Sequence, residues 1–190
     1  MKDSATEPSL RSLQAMAAPL DAKGLLRLAL KEAFPGRTAI VSSFAAESVV
    51  LLHLVAAIDP ETPILFLNTG KLFGETLRYR DRLQEVLGLT DIRAIGPHPI
   101  ERERLDPLGA LWSRDADACC HFRKALPLGR ALKRFEATVT GRKRFQTSTR
   151  ATMERVELAD GRFRFNPLAD WSSSNLFSDQ QRRLLAYVDA

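Results

Sequence analysis

The chain has 190 residues, 45% hydrophobic and 27% charged, which fits one folded domain and excludes collagen-like and disordered classes. No apolar run approaches the roughly 20 residues of a membrane helix, and the start Met1-Lys2-Asp3-Ser4 lacks the apolar core of a signal peptide, so a cytoplasmic location is expected. Lys and Arg number 28 against 23 Asp and Glu, a net charge of +5, which suits an anionic partner but is not a nucleic-acid-binding arm.

Residues 1–20 read as a polar lead-in with at most a loose helix around Leu13 to Met16. Asp21 is placed to cap a helix running to about Ala33, which Pro35-Gly36 stops. Thr38 to Phe44 is a short β-branched run without charge, as expected of a buried parallel strand. Residues 46–57 are apolar nearly all round and predict a helix packed on a sheet. Pro63 to Asn68 reads as a second buried strand, and Leu72, Thr76, Tyr79, Leu83 and Val86 recur at helical spacing. Ile92 to Ile95 makes a third strand, followed by a poorly periodic stretch to Asp117. Pro127 is read as opening a helix through Leu128, Ala131, Leu132 and Phe135, and Ala137 to Thr140 as a fourth strand leading into a basic segment over 142–164. Alternating strands and helices with short connections predict an α/β fold, a mostly parallel sheet with helices on both faces.

Ligands of open parallel sheets bind beyond the carboxyl ends of the strands, and three segments there carry suitable chemistry. Ser42-Ser43-Phe44-Ala45-Ala46-Glu47-Ser48 leaves a strand and enters a helix, so its amides and hydroxyls suit an anion, although a serine there also serves as a plain helix cap. Leu67-Asn68-Thr69-Gly70 puts small and polar residues at the next strand end, where an ordinary strand-to-helix turn is the alternative. In Thr140-Gly141-Arg142-Lys143-Arg144-Phe145-Gln146-Thr147-Ser148-Thr149-Arg150 the guanidinium groups suit phosphate or sulfate, against the alternative of a solvated loop. The two cysteines of the chain are adjacent, Cys119-Cys120, and followed by His121, Arg123 and Lys124. Neighbouring cysteines rarely bridge each other, and nearby cations favour thiolates, so metal or redox chemistry stands beside the alternative of two chance buried thiols.

Five motifs, SSFAAES, LNTGKLFGET with the YRDR that follows, CCHFRKALPL, TGRKRFQTSTRA and FNPLADWS, stand in the order found in assimilatory sulfonucleotide reductases, and the chain resembles that family over roughly residues 38–172. The resemblance implies an adenine nucleotide alpha hydrolase-like (PP-loop) fold, with residues 1–190 as a single sulfonucleotide-binding domain. The cysteine pair is similar to the adenylyl-sulfate (APS) reductase branch, which carries a 4Fe-4S cluster, rather than the branch that uses the 3′-phosphorylated nucleotide (PAPS). Such enzymes reduce the sulfonucleotide to sulfite and AMP with thioredoxin as donor. By this resemblance Ser42, Ser43, Glu47 and Ser48 cradle the nucleotide, Thr69 and Gly70 lie near the adenosine, and Arg142, Lys143, Arg144, Gln146 and Arg150 face the phosphosulfate. Cys119 and Cys120 are the first two cluster ligands, and Lys124 lies close to the cluster.

Two departures accompany the resemblance. Asn68 stands where the family usually has Asp, and residues 172–190 form a divergent, incomplete C-terminal segment without the family's later Cys-x-x-Cys or its Glu-Cys-Gly-Leu-His. The expectation is therefore nucleotide binding with half a cluster site and no nucleophilic cysteine. The alternatives are an inactive nucleotide-binding module and a PP-loop ATP pyrophosphatase or adenylyltransferase. The latter uses a Ser-Gly-Gly-x-Asp-Ser loop unlike Ala45-Ala46-Glu47. A homo-oligomer that pools the cysteine pairs of two chains is also compatible with the sequence.

Overall fold

The computed structural model describes residues 8–45 and 47–172. The divergent segment expected over 172–190 thus lies, apart from Ser172, outside the described residues, as do Ala46 of the first motif and the first seven residues.

Six strands form one sheet in the order β3-β2-β1-β4-β6-β5. They are β1 (Thr38–Ser42), β2 (Ile64–Leu67), β3 (Ile92–Ile95), β4 (Ala137–Thr140), β5 (Val156–Ala159) and β6 (Arg162–Phe165). All neighbours run parallel except β5 against β6. The expected mostly parallel α/β sheet is thereby observed. The chain builds outward from β1 to β3, then returns to lay β4 on the other side of β1. Such a reversal opens a crevice at the carboxyl ends of the two central strands.

Side chains alternate across each strand, which sorts the core into two faces. Ile40, Ile64, Phe66, Ala137 and Val139 point into the larger cluster, packed with Leu25, Leu26, Val49 and Leu52. These last residues come from α2 (Ala22–Arg27) and α3 (Ser48–Ala56). Ala39 and Leu65 face the other way, against Leu128, Ala131, Leu132 and Phe135 around α8 (Leu126–Leu132). A fully buried Leu or Phe side chain is worth about 1.5–3 kcal/mol, so a sheet covered on both faces is the arrangement that satisfies all four central strands.

Several helix ends are set by local chemistry. Asp21 caps α2, accepting the Gly24 N–H at 2.7 Å, and the helix continues to Ala33 through a wider π turn over Leu28–Ala33. After α4 (Gly74–Leu87), Gly88 takes φ 64° and ends the helix.

Three helical segments differ from the sequence reading. Residues 10–17 form α1 (Leu10–Ala17), capped by Ser9, with Leu13 and Ala17 fully buried; Gln14 Nε2 donates to the Val156 carbonyl on β5 at 3.0 Å. The lead-in is thus partly a packed helix, tied to a strand far along the chain. The stretch before Asp117 holds α5 (Pro99–Leu105) and α6 (Leu111–Arg114), short helices without buried residues, which is why they show no period. Pro127 does not open a helix; it sits within a run from α7 (Ala116–Cys120) through a π turn (His121–Ala125) into α8. There the Leu126 N–H reaches the His121 carbonyl, the widened bonding that lets a proline follow inside a helical run.

The hairpin β5–β6 is the element the sequence reading left inside the basic segment. Asp160 (φ 53°) and Gly161 (φ 72°) make its two-residue turn, the Asp-Gly pairing that favours such hairpins. The alternation Val156-Glu157-Leu158-Ala159 and Arg162-Phe163-Arg164-Phe165 around that turn was the available signal.

Candidate active site

A cleft of about 720 Å³ opens at the reversal point, where β1 and β4 end side by side. Ser42, Ser43, Glu47 and Ser48 line it from the β1 side; Arg142, Lys143, Gln146 and Arg150 line it from the β4 side. Eight of the sequence-derived candidates therefore meet in one place. They do so because β1 and β4 are neighbours in space although two strands and every helix from α3 to α8 separate them in sequence.

The turn after β1 is unusual for its residue types. Phe44 holds φ 53°, a left-handed conformation that costs a bulky residue energy. Its ring is buried edge-on against Phe66, with centroids 5.2 Å apart, and its N–H donates to Ser42 Oγ at 3.1 Å. The Ser42 hydroxyl accepts this bond, and Ser42 lines the cleft. The N-cap position of α3 is held by Glu47, which makes no side-chain cap bond, so neither Ser42 nor Ser43 is the cap of that helix.

Glu47 is a hub. Its carboxylate receives Lys143 Nζ at 2.6 Å and Gln146 Nε2 at 2.9 Å. The Gln146 oxygen in turn accepts Arg150 at 2.6 Å and the Lys143 backbone N–H at 3.2 Å. The hydrogen bond from Lys143 is the main reason the Glu47 carboxyl titrates below its ordinary range, with burial opposing it. Lys143 was expected to face an anionic ligand, yet its side chain is 2% exposed and already paired.

Besides the paired Lys143, the cations that line the cleft are Arg142 and Arg150 after β4 and Arg164 of β6. Burial, then the positive charges of Arg164 and Arg150, disfavour the charged form of Arg142, while Glu157 opposes them. The apolar wall comes from Val41, Leu67, Leu128 and Leu132. Cations at one side and apolar side chains at the other are what a nucleotide presents a need for: oxyanions at one end, a base at the other.

Several candidates are placed elsewhere. Arg144 turns out of the cleft, its Nε donating to the Met153 carbonyl at 2.7 Å and its guanidinium pairing with Asp170. Thr69 and Gly70 do not line the cleft. They form the tight turn after β2, in which Asn68 Oδ1 accepts the Gly70 N–H at 3.1 Å, Thr69 Oγ1 accepts the Lys71 N–H at 3.2 Å and Gly70 takes φ 71°. The amide of Asn68 makes the turn bond that an Asp would make, without its charge.

Cys119 is half-buried and Cys120 exposed at the end of α7, with Lys124 exposed on the π turn that follows. The helix they ride on is anchored to the turn after β2. Arg123, buried, donates to the Thr69 carbonyl at 2.7 Å and to Asp106 at 2.5 Å. Among the described residues no group of three or more His, Cys, Asp and Glu side chains could hold a metal, and the sequence contains two cysteines. A 4Fe-4S cluster needs four thiolates, so the residues of this chain do not by themselves fit one.

Sequence reasoning missed Arg164, Thr138 and the leucines of α8 as cleft residues. Thr138 and Arg164 stand opposite one another in the β4–β6 register; recognising the Asp-Gly hairpin would have placed Arg164 on that face.

A sequence profile of the phosphoadenosine phosphosulfate reductase domain matches residues 37–188. An adenosine 5′-phosphosulfate reductase of Mesorhizobium japonicum is 48% identical over 151 residues, 80% of this chain and 59% of that protein. A phosphoadenosine 5′-phosphosulfate reductase of Xylella fastidiosa is 31% identical over 183 residues, 94% of this chain and 76% of that protein. The chain thus spans less than two thirds of the length of the Mesorhizobium relative. In structure it is similar to a phosphoadenylyl-sulfate reductase from Candida auris, crystallised as a phosphate complex, with a TM-score of 0.74 at 21% identity over 95% of this chain and 84% of that one. At that identity the likeness speaks for the fold. No helix among the described residues is long and apolar enough to cross a membrane.

Proposed function

Because the chain belongs to the phosphoadenosine phosphosulfate reductase domain family, we propose that its cleft binds a sulfonucleotide and that the protein serves the reduction of adenylyl sulfate to sulfite and AMP. The observation that carries this reading is the convergence of Ser42, Ser43, Arg142 and Arg150 on one cleft with an apolar wall. In the proposed pose the adenine lies against Leu67 and Leu128, and the phosphosulfate faces the arginines and the serine hydroxyls. Paired guanidinium bonds suit tetrahedral oxyanions, and the Glu47 network would hold Gln146 and Arg150 in place before the ligand arrives.

In the overall reaction a dithiol donor gives two electrons and becomes a disulfide, and the bond between sulfur and the bridging oxygen breaks. The sulfur leaves as sulfite, AMP keeps the bridging oxygen on its phosphate, and two protons are released. Thioredoxin as that donor, a cytoplasmic setting and self-association belong to the same proposal, as does a single nucleotide-binding domain over residues 1–190. The preference for adenylyl sulfate over its 3′-phosphorylated form rests on the cysteine pair, Cys119-Cys120.

The second reading is a nucleotide-binding module without reductase activity, which shares the cleft and its ligand. Calorimetry with AMP and adenylyl sulfate tests the shared part of both readings; binding with a Kd in the micromolar range, on the order of −8 kcal/mol, is expected. No heat and no thermal shift at millimolar ligand would remove the site. An anaerobic assay with adenylyl sulfate and thioredoxin separates the two: sulfite release supports the reductase reading, and nucleotide binding without sulfite overturns it in favour of the inactive module.

A further inference from the structure

We infer that Arg142 and Arg164 form a paired-guanidinium seat for one oxyanion on the α8 side of the cleft, with Glu157 positioning both. The proposal deepens the sulfonucleotide reading only in naming the natural ligand, whose phosphate or sulfonate would occupy the seat; the seat itself stands on the geometry that follows.

The two arginines come from different elements. Arg142 follows β4, while Arg164 lies within β6, directly opposite Thr138 of β4. That register turns Arg164 to the face covered by α8, and both arginines line the cleft beside Leu128 and Leu132. Their side chains are 30% and 22% exposed, reachable but largely out of water.

A single carboxylate oxygen serves both. Glu157 Oε1 lies 3.2 Å from Arg164 and 3.9 Å from Arg142, and it also accepts the Asn166 amide at 3.3 Å. Glu157 faces Arg164 across the β5–β6 hairpin, so it is fixed by strand pairing rather than by the arginines. Asp160 pairs with Arg164 from the turn, but its side chain is 85% exposed and offers a screened charge. Arg142 meets Thr140 Oγ1 through Nε at 3.3 Å. Two half-buried guanidiniums thus stand beside one carboxylate oxygen, which accepts a hydrogen bond from Arg164 and makes only a 3.9 Å ion-pair contact with Arg142. The charge of Arg150 presses on Arg142 as well. A tetrahedral oxyanion between them would offer acceptors to the N–H groups that Glu157 Oε1 does not reach and offset the mutual repulsion.

The test compares wild type, Arg164→Gln, Arg164→Lys and, as a distant control, Arg82→Gln on the exposed side of α4. Binding of inorganic sulfate, adenosine, AMP and adenylyl sulfate is measured by calorimetry, with thermal melting to confirm folding. Arg164→Gln is expected to weaken sulfate by about tenfold or more and to leave adenosine unchanged. If the seat takes the phosphate, AMP and adenylyl sulfate weaken alike; if it takes the sulfonate, adenylyl sulfate alone weakens. Arg164→Lys retains the pair with Glu157 but loses the fork, so several-fold weakening is expected even if the Gln variant does not fold. Unchanged affinity for sulfate, AMP and adenylyl sulfate in either folded variant overturns the seat. Sulfate binding that depends on Arg164 in a wild type that binds no nucleotide supports the seat and removes the nucleotide reading instead.

Discussion

The Lys143 ammonium, 2% exposed, lies 2.6 Å from the Glu47 carboxylate, so the most buried cation of the cleft is neutralised from within the chain. The pair joins the segment after β4 to the turn before α3, the two sides of the cleft. Its consequence is organisational: the same carboxylate holds Gln146, which holds Arg150.

Glu47→Gln should destabilise the protein, because it leaves the Lys143 charge buried and unmatched. The Glu47 side chain is 40% exposed, so water recovers part of the loss, and about 1–2 kcal/mol is expected in urea unfolding. Lys143→Met in the Glu47→Gln background should restore most of it. A loss equal in the single and double variants would mean that the ion pair is not the cause.

Asp106 and Arg123 make a second buried pair, at 2.5 Å. The hydrogen bond from Arg123 is the leading reason the Asp106 carboxyl titrates below its ordinary 3.8, with the Leu111 N–H and Lys71 adding to it and burial opposing it. A folded-state value below the unfolded one means the pair stabilises fully above about that ordinary value and is lost as pH falls through the folded value. Acid unfolding followed by circular dichroism should therefore show a shallower low-pH limb for Asp106→Asn than for wild type. Superimposable acid limbs would deny the pair this role.

Arg142→Ala and Arg150→Ala should each cost about 1.5–3 kcal/mol of AMP or adenylyl sulfate binding, the usual range for hydrogen bonds to charged groups. Arg144→Ala is expected to leave affinity unchanged, since its guanidinium is turned to Asp170 and the Met153 carbonyl. Calorimetry on the three variants decides this, and an equal loss at Arg144 would return it to the cleft.

A Cβ on Gly96 would stand 2.2 Å from the Asn68 carbonyl oxygen. That carbonyl is backbone at the end of β2, where the Asn68 N–H already bonds the Ile95 carbonyl at 2.8 Å, so it has little room to move. Gly96→Ala is expected to cost about 1–3 kcal/mol, as overpacking does, measured by denaturant unfolding. A neutral substitution would show that the β2 and β3 ends part freely.

Leu13→Ala should cost about 2–5 kcal/mol in the same measurement, because Leu13 is fully buried in the main core cluster. A loss under 0.5 kcal/mol, the scale of surface changes, would return residues 10–17 to the status of a lead-in.

Strand positions and sheet class were legible in the sequence because buried parallel strands are short, apolar and β-branched, as in Thr38 to Ser42 and Ala137 to Thr140. The anion-seeking segments were legible because polar and glycine residues follow those strands directly, and local composition alone records that. Which side chains reach the cleft is a different matter, decided by packing in three dimensions. Lys143 and Arg144 are neighbours in one basic run, yet one turns inward to Glu47 and the other away to Asp170. Arg164 enters the cleft only because β6 pairs with β4 and fixes which face each residue shows, and strand alternation becomes informative only once register is known. Likewise Leu13 is core only because β5 lies beneath α1. Local residue chemistry set the elements and the kind of ligand; long-range strand order and register, which no short stretch of sequence encodes, set which charges face it.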